Sequence, residues 1–425
     1  MSFKEKLKKI PVLYPLLKYT KNGLKDLSAI PGFLAERRIE RGEGPIRVGF
    51  LCQYIPVWHK LQPIYEMMQA DDRFEPFLLC VPSNIKDGEL AQAEKHNDTL
   101  DYFREHGYPE AIDTLLEGNV WLDLKAMDLN YVFYPRPYDV HMPECYQSHN
   151  VFRYSKICLI LYGMNTTQEV VGITLNRGFF RHVYCYFAEL PYSQEQNSKN
   201  GWLLHCLGLQ KSVYYGMPGI EAIYAGTHMP RPAWAFSKNS FRALWCPRWT
   251  TELRLGGTNF FTYYRFLLKY AEEHPDTDLL FRPHPLALEN FQKNGDMTAE
   301  EAKSFVAQCE ALPNVSLDKE KEYAATFWGA DVLISDISGI IPEFFVTGKP
   351  LIFCASNMIL TPETTTAQIL EASYVVHDQA QLEACLDQLK AGIDPLKEKR
   401  QQLVDQLYSQ ELRSPAAKIT EHLAK

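Results

Sequence analysis

The 425-residue chain has no uncharged apolar run of about 18 residues, which argues against a membrane-crossing helix. Its N-terminus lacks an apolar stretch followed by a small-residue cleavage site, so a cytoplasmic location is expected rather than secretion. Ten cysteines are scattered along it without CxxC or mixed Cys/His metal spacing, which excludes a recognisable zinc site and fits reduced thiols. Most lie in apolar runs, such as Cys158 in ICLIL and Cys354 in LIFC, where a free thiol behaves as a small hydrophobe. No GxGxxG follows the first strand and no GxxxxGK[ST] occurs, which disfavours a P-loop kinase. No DxD lies at a strand end, so the usual anchor of a metal-bridged nucleotide sugar is missing, and neither metal nor cofactor is expected. A net charge of −8 gives no reason to expect a nucleic-acid partner. Internal repeats and low-complexity tracts are absent as well.

What is present is the composition of a globular protein, 46% apolar and 23% charged, in a chain long enough for two domains. The segment Ala330 to Phe353, ADVLISDISGIIPEFFVTGKPLIF, reads as strand, polar turn, helix and strand. Ser335, Asp336, Ser338 and Gly339 open its helical part, where unpaired N–H groups and the positive end of the helix dipole favour an anion. A plain N-cap at Asp336 or Ser338 accounts for the same residues. A second segment, DLLFRPHP over Asp278 to Pro285, is an apolar run ending in Arg282 and His284, each followed by proline. Proline restrains the residue before it, so both side chains should be held at the carboxyl end of a strand, the edge where open α/β sheets bind ligands. Arg282 offers a planar fork for phosphate oxygens, and His284 a proton or hydrogen bond near neutral pH.

Residues 1–44 form a leader whose first 41 residues carry ten Lys/Arg against four acids. Phe3, Leu7, Ile10, Leu13, Leu16 and Leu17 give it an amphipathic face, which suggests docking on an anionic membrane surface. Pro11, Pro15 and Pro31 should break any long helix, and the leader should be dispensable for folding because the first buried strand begins at Ile46. Residues 45–235 read as an N-terminal domain, with strands at Ile46 to Cys52, Phe77 to Val81, Tyr131 to Tyr134, Ile157 to Tyr162 and Val183 to Leu190. Residues 236–395 read as a second domain after a linker at Thr227 to Asn239, and 396–425 as a helical tail. In the second domain Thr258 or Asn259 should cap a helix with an apolar stripe from Phe260 to Ala271.

RPHP and DVLISDISGIIPEFFVTGKPLIF, with ALWCPRWT over Ala243 to Thr250, resemble the C-terminal signature of the CDP-glycerol glycerophosphotransferase family, which includes teichoic acid polymerases and primases. The resemblance implies an α/β, GT-B-like fold, two Rossmann-type doubly wound domains facing a cleft. It further implies transfer of glycerol phosphate or a related polyol phosphate from a CDP-linked polyol donor to a hydroxyl of a glycan or lipid-linked acceptor. Such an enzyme would work in cell-surface polymer synthesis, cytoplasmic and peripheral at the inner face of the membrane. Arg282, Arg248, Ser335, Asp336, Ser338, Gly339 and Glu343 would then bind the donor, with His284 stabilising the charge on departing CMP. Polymerases of the family carry a His-Gly pair after an N-domain strand, with the histidine as base. Here Tyr162-Gly163 stands in that place, and a tyrosine is a poor base at neutral pH. Asp139 in PRPYDVHMP is the other candidate base, ahead of His141, His59, Glu169 and His228. Two further readings stay open: a GT-B glycosyltransferase using a nucleotide sugar, and a catalytically weakened binding or scaffold homologue.

Overall fold

The computed structural model describes residues 13–86, 89–90, 96–226, 232, 234–318, 323–355 and 360–425. They fall into two compact units, the first within Met1–Tyr162, Gly172–Gly219 and Ser414–Lys425, the second within Gly163–Val171 and Ile220–Arg413. Pro11, the four basic residues Lys4, Lys6, Lys8 and Lys9, and the apolar Phe3, Leu7 and Ile10 lie outside the described residues, as does His228. Among the described residues no helix is long and apolar enough to cross a membrane.

The first unit is built on seven strands: β1 (Ile46–Cys52), β2 (Phe74–Cys80), β3 (Ile112–Asp113), β4 (Tyr131–Tyr134), β5 (Lys156–Ile160), β6 (Val183–Phe187) and β7 (Lys211–Val213). They pair in the order β7-β6-β5-β4-β1-β2-β3, and every pairing is parallel. Parallel strands are covered on both faces, which is why the central ones read as continuous apolar runs. Phe50, Phe133 and Phe187 on three of them stack in sequence, with centroids 4.9 and 6.2 Å apart. The C-terminal helix Pro415–Leu423 belongs to this unit and places Ala416, Ile419 and Leu423 in its core.

The second unit has six strands: β8 (Phe241–Cys246), β9 (Thr277–Phe281), β10 (Val315–Leu317), β11 (Val332–Ser335), β12 (Leu351–Cys354) and β13 (Tyr374–Val376). Their order is β10-β9-β8-β11-β12-β13, again all parallel. An aromatic core joins Trp245 of β8 to Phe281 of β9 at 4.6 Å and to Phe260 at 5.4 Å, the last at the start of the helix Phe260–Glu273. Each unit is thus a doubly wound sheet that reverses direction beside its first strand, between β1 and β4 and between β8 and β11.

The leader corrects two expectations. Leu13–Glu36 forms one continuous helix, α1, with Pro31 inside it. Pro15 falls in the first turn, where the missing donor has no partner to lose. Pro31 forfeits a bond on the exposed side, and docking of the opposite side offsets the loss. That docked side carries Asn22, Asp26, Ala29, Phe33 and Glu36, all buried in the first unit. Asp26 pairs with Arg181 at 3.5 Å and accepts from the Leu203 amide, and burial raises its pKa. Trp202 stacks on Tyr19 at 4.1 Å and donates to its carbonyl. Removing the first 43 residues would therefore uncover core surface, so α1 is part of the fold. Gly32 faces the Phe152 ring so closely that an added Cβ would lie 2.1 Å from it. Gly32→Leu should force α1 off this contact and lower stability by about 1–3 kcal/mol, roughly 2–10 °C in thermal midpoint. An unchanged midpoint would show that α1 does not contribute to the first unit.

Candidate functional site

The strand ends on either side of the second sheet's reversal point carry most of the polar residues singled out in the sequence. Ligands in open α/β sheets bind at such a carboxyl edge. Asp336, the residue after β11, is 2% exposed, and its carboxylate accepts three bonds from the other elements. The Arg248 amide donates to Oδ1 at 2.7 Å, while the Asn259 amide and Thr258 Oγ1 donate to Oδ2 at 2.9 and 3.1 Å. Burial raises its pKa to about 6, against the pull of those donors and of the Arg248 charge. Asp336 therefore does not face a ligand, as the sequence suggested; it fixes the loop that carries Arg248. Ser335 is likewise buried and donates to the Cys246 carbonyl at 2.6 Å. These two residues act through the backbone they hold.

Arg248 is the side chain this arrangement presents. Its Nη1 donates to the Ile337 carbonyl at 2.8 Å, and its buried Nε has no hydrogen-bond partner among the described residues. Gly256, at φ 113°, leaves room for the guanidinium, since a Cβ there would lie 2.8 Å from Nε. Arg282, after β9, donates to Asp318 Oδ2 at 2.6 Å and lies 5.3 Å over the Tyr323 ring. Tyr323 in turn donates to Glu343, which is 2% exposed in the short helix Ile340–Phe345. Glu343 is thus an interior acceptor and not a surface carboxylate. His284 is exposed, 5.7 Å from the Trp249 ring, and its Nδ1 accepts from the Leu286 amide at 3.1 Å. Desolvation by its surroundings and then the Arg248 charge lower its pKa. The ring is neutral at pH 7, and that hydrogen bond assigns its proton to Nε2, which is free to donate.

Gly339 has an ordinary helical φ of −62°, so its lack of a side chain serves close approach and not backbone freedom. A Cβ there would lie 2.8 Å from the carbonyl oxygen of Met164. The segment that brings Met164 continues through a bridge between Thr167 and Pro362. Glu169 within it accepts from the Thr361 amide at 3.0 Å and from Thr361 Oγ1 at 3.2 Å. Those bonds give Glu169 a tethering role. Ser338 is half-buried beside Gly339.

The candidate bases of the first unit are placed differently. Tyr162 is 39% exposed, yet desolvation first, and then the Tyr138 phenol 3.0 Å away, raise its pKa. That is the wrong direction for a base. Both oxygens of Asp139 accept from Ser148, from its amide at 2.6 Å and its hydroxyl at 2.9 Å, which commits them to the turn into Ser148–Val151. Ser148 also bonds His182, a buried ring whose pKa falls to about 4 mainly by desolvation. His141 ends a turn beside Tyr138, and His59 is half-buried. Sequence reasoning missed Asp318 and Tyr323, which contact Arg282, and read Thr258 only as a helix cap although it donates to Asp336; the residues flanking each strand end were the available signal. Among the described residues no group of three or more His, Cys, Asp or Glu is placed to hold a metal ion.

Solved structures share this architecture. A UDP-GlcNAc 2-epimerase from Neisseria meningitidis, bound to UDP-GlcNAc, is 14% identical over 89% of this chain and 99% of its own, with a TM-score of 0.55. For a putative UDP-N-acetylglucosamine 2-epimerase from Listeria monocytogenes the values are 13%, 89%, 96% and 0.53. A variant of the wall teichoic acid polymerase TagF, soaked with CDPG, is 13% identical over 98% of this chain and 96% of its own, with a TM-score of 0.50. At these identities the likeness defines the fold, a GT-B-like pair of doubly wound parallel sheets. No curated protein matches the sequence. Residues 258–411 match the family described as CDP-Glycerol:Poly(glycerophosphate) glycerophosphotransferase, and both RPHP and the β11 to β12 segment lie inside that match. The match lies wholly within the second unit, which resembles this family over 154 of the 425 residues.

Asp336 supplies a test of the geometry. An aspartate titrates near 3.9 when unfolded, and Asp336 near 6 when folded. The folded state holds the proton more tightly, so the stability it contributes is complete below about pH 4 and is lost as pH rises through 6, by on the order of 3 kcal/mol at most. The difference in thermal midpoint between the wild type and Asp336→Asn should change across pH 4–6 and level off above pH 7. A flat difference over that window would mean Asp336 is not buried as described.

Proposed function

We propose that the chain transfers glycerol phosphate or a related polyol phosphate from a CDP-activated donor to a hydroxyl of a glycan or lipid-linked acceptor, as a step in cell-surface polymer synthesis. In this reading residues 236–395 hold the donor and residues 45–235 serve the acceptor. The observation that carries it is the set of three basic groups, Arg248, Arg282 and His284, at the carboxyl edge of β8 and β9, within or beside the segment that matches the family. The acceptor oxygen forms a bond to the β-phosphorus of the donor as the bond from that phosphorus to the bridging oxygen breaks. CMP leaves with the bridging oxygen, and the hydroxyl proton passes to a base. Arg248 and Arg282 balance the pyrophosphate charge, and His284 donates from Nε2 to the oxygen that gains charge, with no need for a divalent ion.

The experiment is a thermal-shift comparison of nucleotides. CDP and CMP should raise the melting midpoint more than UDP, GDP or ADP, because a ligand bound only to the folded state stabilises it. Preference for UDP would turn the assignment to a nucleotide-sugar enzyme, and no response to any nucleotide would favour a scaffold. His284→Ala should lower turnover by about two to three orders of magnitude with the fold intact. Near-normal turnover would reduce His284 to a turn residue.

We also place the enzyme at the inner face of the membrane. The outer face of α1 supports this: Leu16, Leu17, Leu24 and Leu27 are 47–64% exposed, with Lys18, Lys21 and Lys25 among them. An apolar face flanked by cations suits an anionic bilayer surface. The wild type should sediment with phosphatidylserine-containing vesicles at low salt and be released at high salt. Leu24→Asp combined with Leu27→Asp should leave it in the supernatant without changing the melting midpoint. Equal sedimentation of the two forms would remove α1 from this role.

A further inference from the structure

The first sheet also reverses direction beside its first strand, and a second basic site is built there. β1 runs to β2 and β3 on one side, and the chain then returns to β4 on the other, so the crevice at the carboxyl ends of β1 and β4 is a topological switch point. Gln53 and Tyr54 follow β1, Arg136 follows β4, and Tyr162 follows β5. The Gln53 side-chain amide donates to the Ser83 carbonyl at 2.9 Å, which turns its oxygen toward Arg136, and Arg136 Nη2 donates to that oxygen. The guanidinium lies 4.5 Å over the Tyr54 ring. Beside it, Arg177 lies 4.6 Å over Tyr138, whose hydroxyl meets that of Tyr162 at 3.0 Å.

These two arginines combine an aromatic face with the lack of a carboxylate. Arg47 and Arg73 of the same unit also lie over rings, and each of those pairs with a carboxylate. Arg136 and Arg177 make no ion pair among the described residues, and the acid closest in sequence to Arg136, Asp139, is taken by Ser148. Arg136 is withdrawn from water enough for desolvation to lower its pKa, with only phenols around it. A partly desolvated guanidinium held by an amide and an aromatic face, without a counter-ion of its own, is suited to receive an oxyanion. Phenol rings and hydroxyls around it suit the carbon and hydroxyl groups of a polyol or sugar.

We propose that the crevice after β1 and β4 binds a phosphate ester of a polyol or sugar, with Arg136 and Arg177 on the phosphate oxygens and Tyr54, Tyr138 and Tyr162 against the carrier. The proposal rests on the reading of the first unit as the acceptor side and gives that side its anion. It also assigns Tyr162 a binding hydroxyl in place of a base.

The test is calorimetric titration of the full chain at low salt with sn-glycerol 3-phosphate, with glycerol as the neutral control and CMP as the donor-side probe. Glycerol 3-phosphate should bind saturably and glycerol should not. Arg136→Ala should weaken the phosphate ester by roughly 10- to 100-fold, the effect of losing charge-assisted hydrogen bonds. Arg136→Lys should recover part of the loss, because it keeps the charge without the fork. Arg177→Ala, at an exposed position, should weaken it several-fold with the melting midpoint unchanged. CMP affinity should be the same in all four proteins. Saturable binding that neither Arg136→Ala nor Arg177→Ala weakens, or no saturable binding to the folded wild type, overturns the proposal. So does an equal loss of CMP affinity, which would give the anion to the donor. If CMP fails to bind while the phosphate ester behaves as expected, this site stands and the donor reading falls.

Discussion

One buried carboxylate organises the second unit's working edge. Asp336 joins three elements that are far apart in sequence: the loop after β8, the start of the helix Phe260–Glu273, and the end of β11. Burying a charge is costly unless it is hydrogen-bonded, and three donors converging on two oxygens offset much of that cost. The raised pKa records what is left of it. With these elements tied, Arg248 has its direction fixed by the Ile337 carbonyl and by the space over Gly256. Arg282 is set by a similar device, since Asp318 accepts from both Arg282 and Thr326. The basic edge is therefore rigid because the acids behind it are interior.

This division between interior acid and presented base explains which parts of the site were legible in the sequence. The central strands, the RPHP turn and the β11 to β12 segment announce themselves by apolar runs and proline. They are local patterns, and the structure keeps them. A residue's facing is not local. Asp336 and Ser338 stand two positions apart in one polar turn, and only the fold decides that the first points inward and the second is half-buried. Gly339 read as part of an anion-favouring helix start, and the structure adds the close Met164 carbonyl, which no spacing rule brings near. The edge strands β3, β7, β10 and β13 escaped notice because two or three residues carry too little pattern to read.

The leader shows the same limit at larger scale. Prolines at 11, 15 and 31 and a first buried strand only at Ile46 suggested a broken, detachable segment. The missing information was the partner of the polar face: Asp26 meets Arg181, a residue 155 positions away, and Phe33 meets Phe152 at 5.5 Å. A helix with one face committed to the core and leucines on the other is chemically two-sided. Mean composition hides that, since both faces contribute to one average.

The chain passes between its two units at four places, after Tyr162, Val171, Gly219 and Arg413. The last passage returns the helix Pro415–Leu423 to the first unit, where Ala416, Ile419 and Leu423 fill its core beside side chains of the strands. During synthesis the first unit is thus missing part of its interior until residues 415–423 have been made. It holds open apolar surface meanwhile, over a sequence separation of more than 300 residues between Ile64 and Ile419. The helix Pro415–Leu423 acts as a clasp, and the folding of the first unit waits on residues made long after its strands.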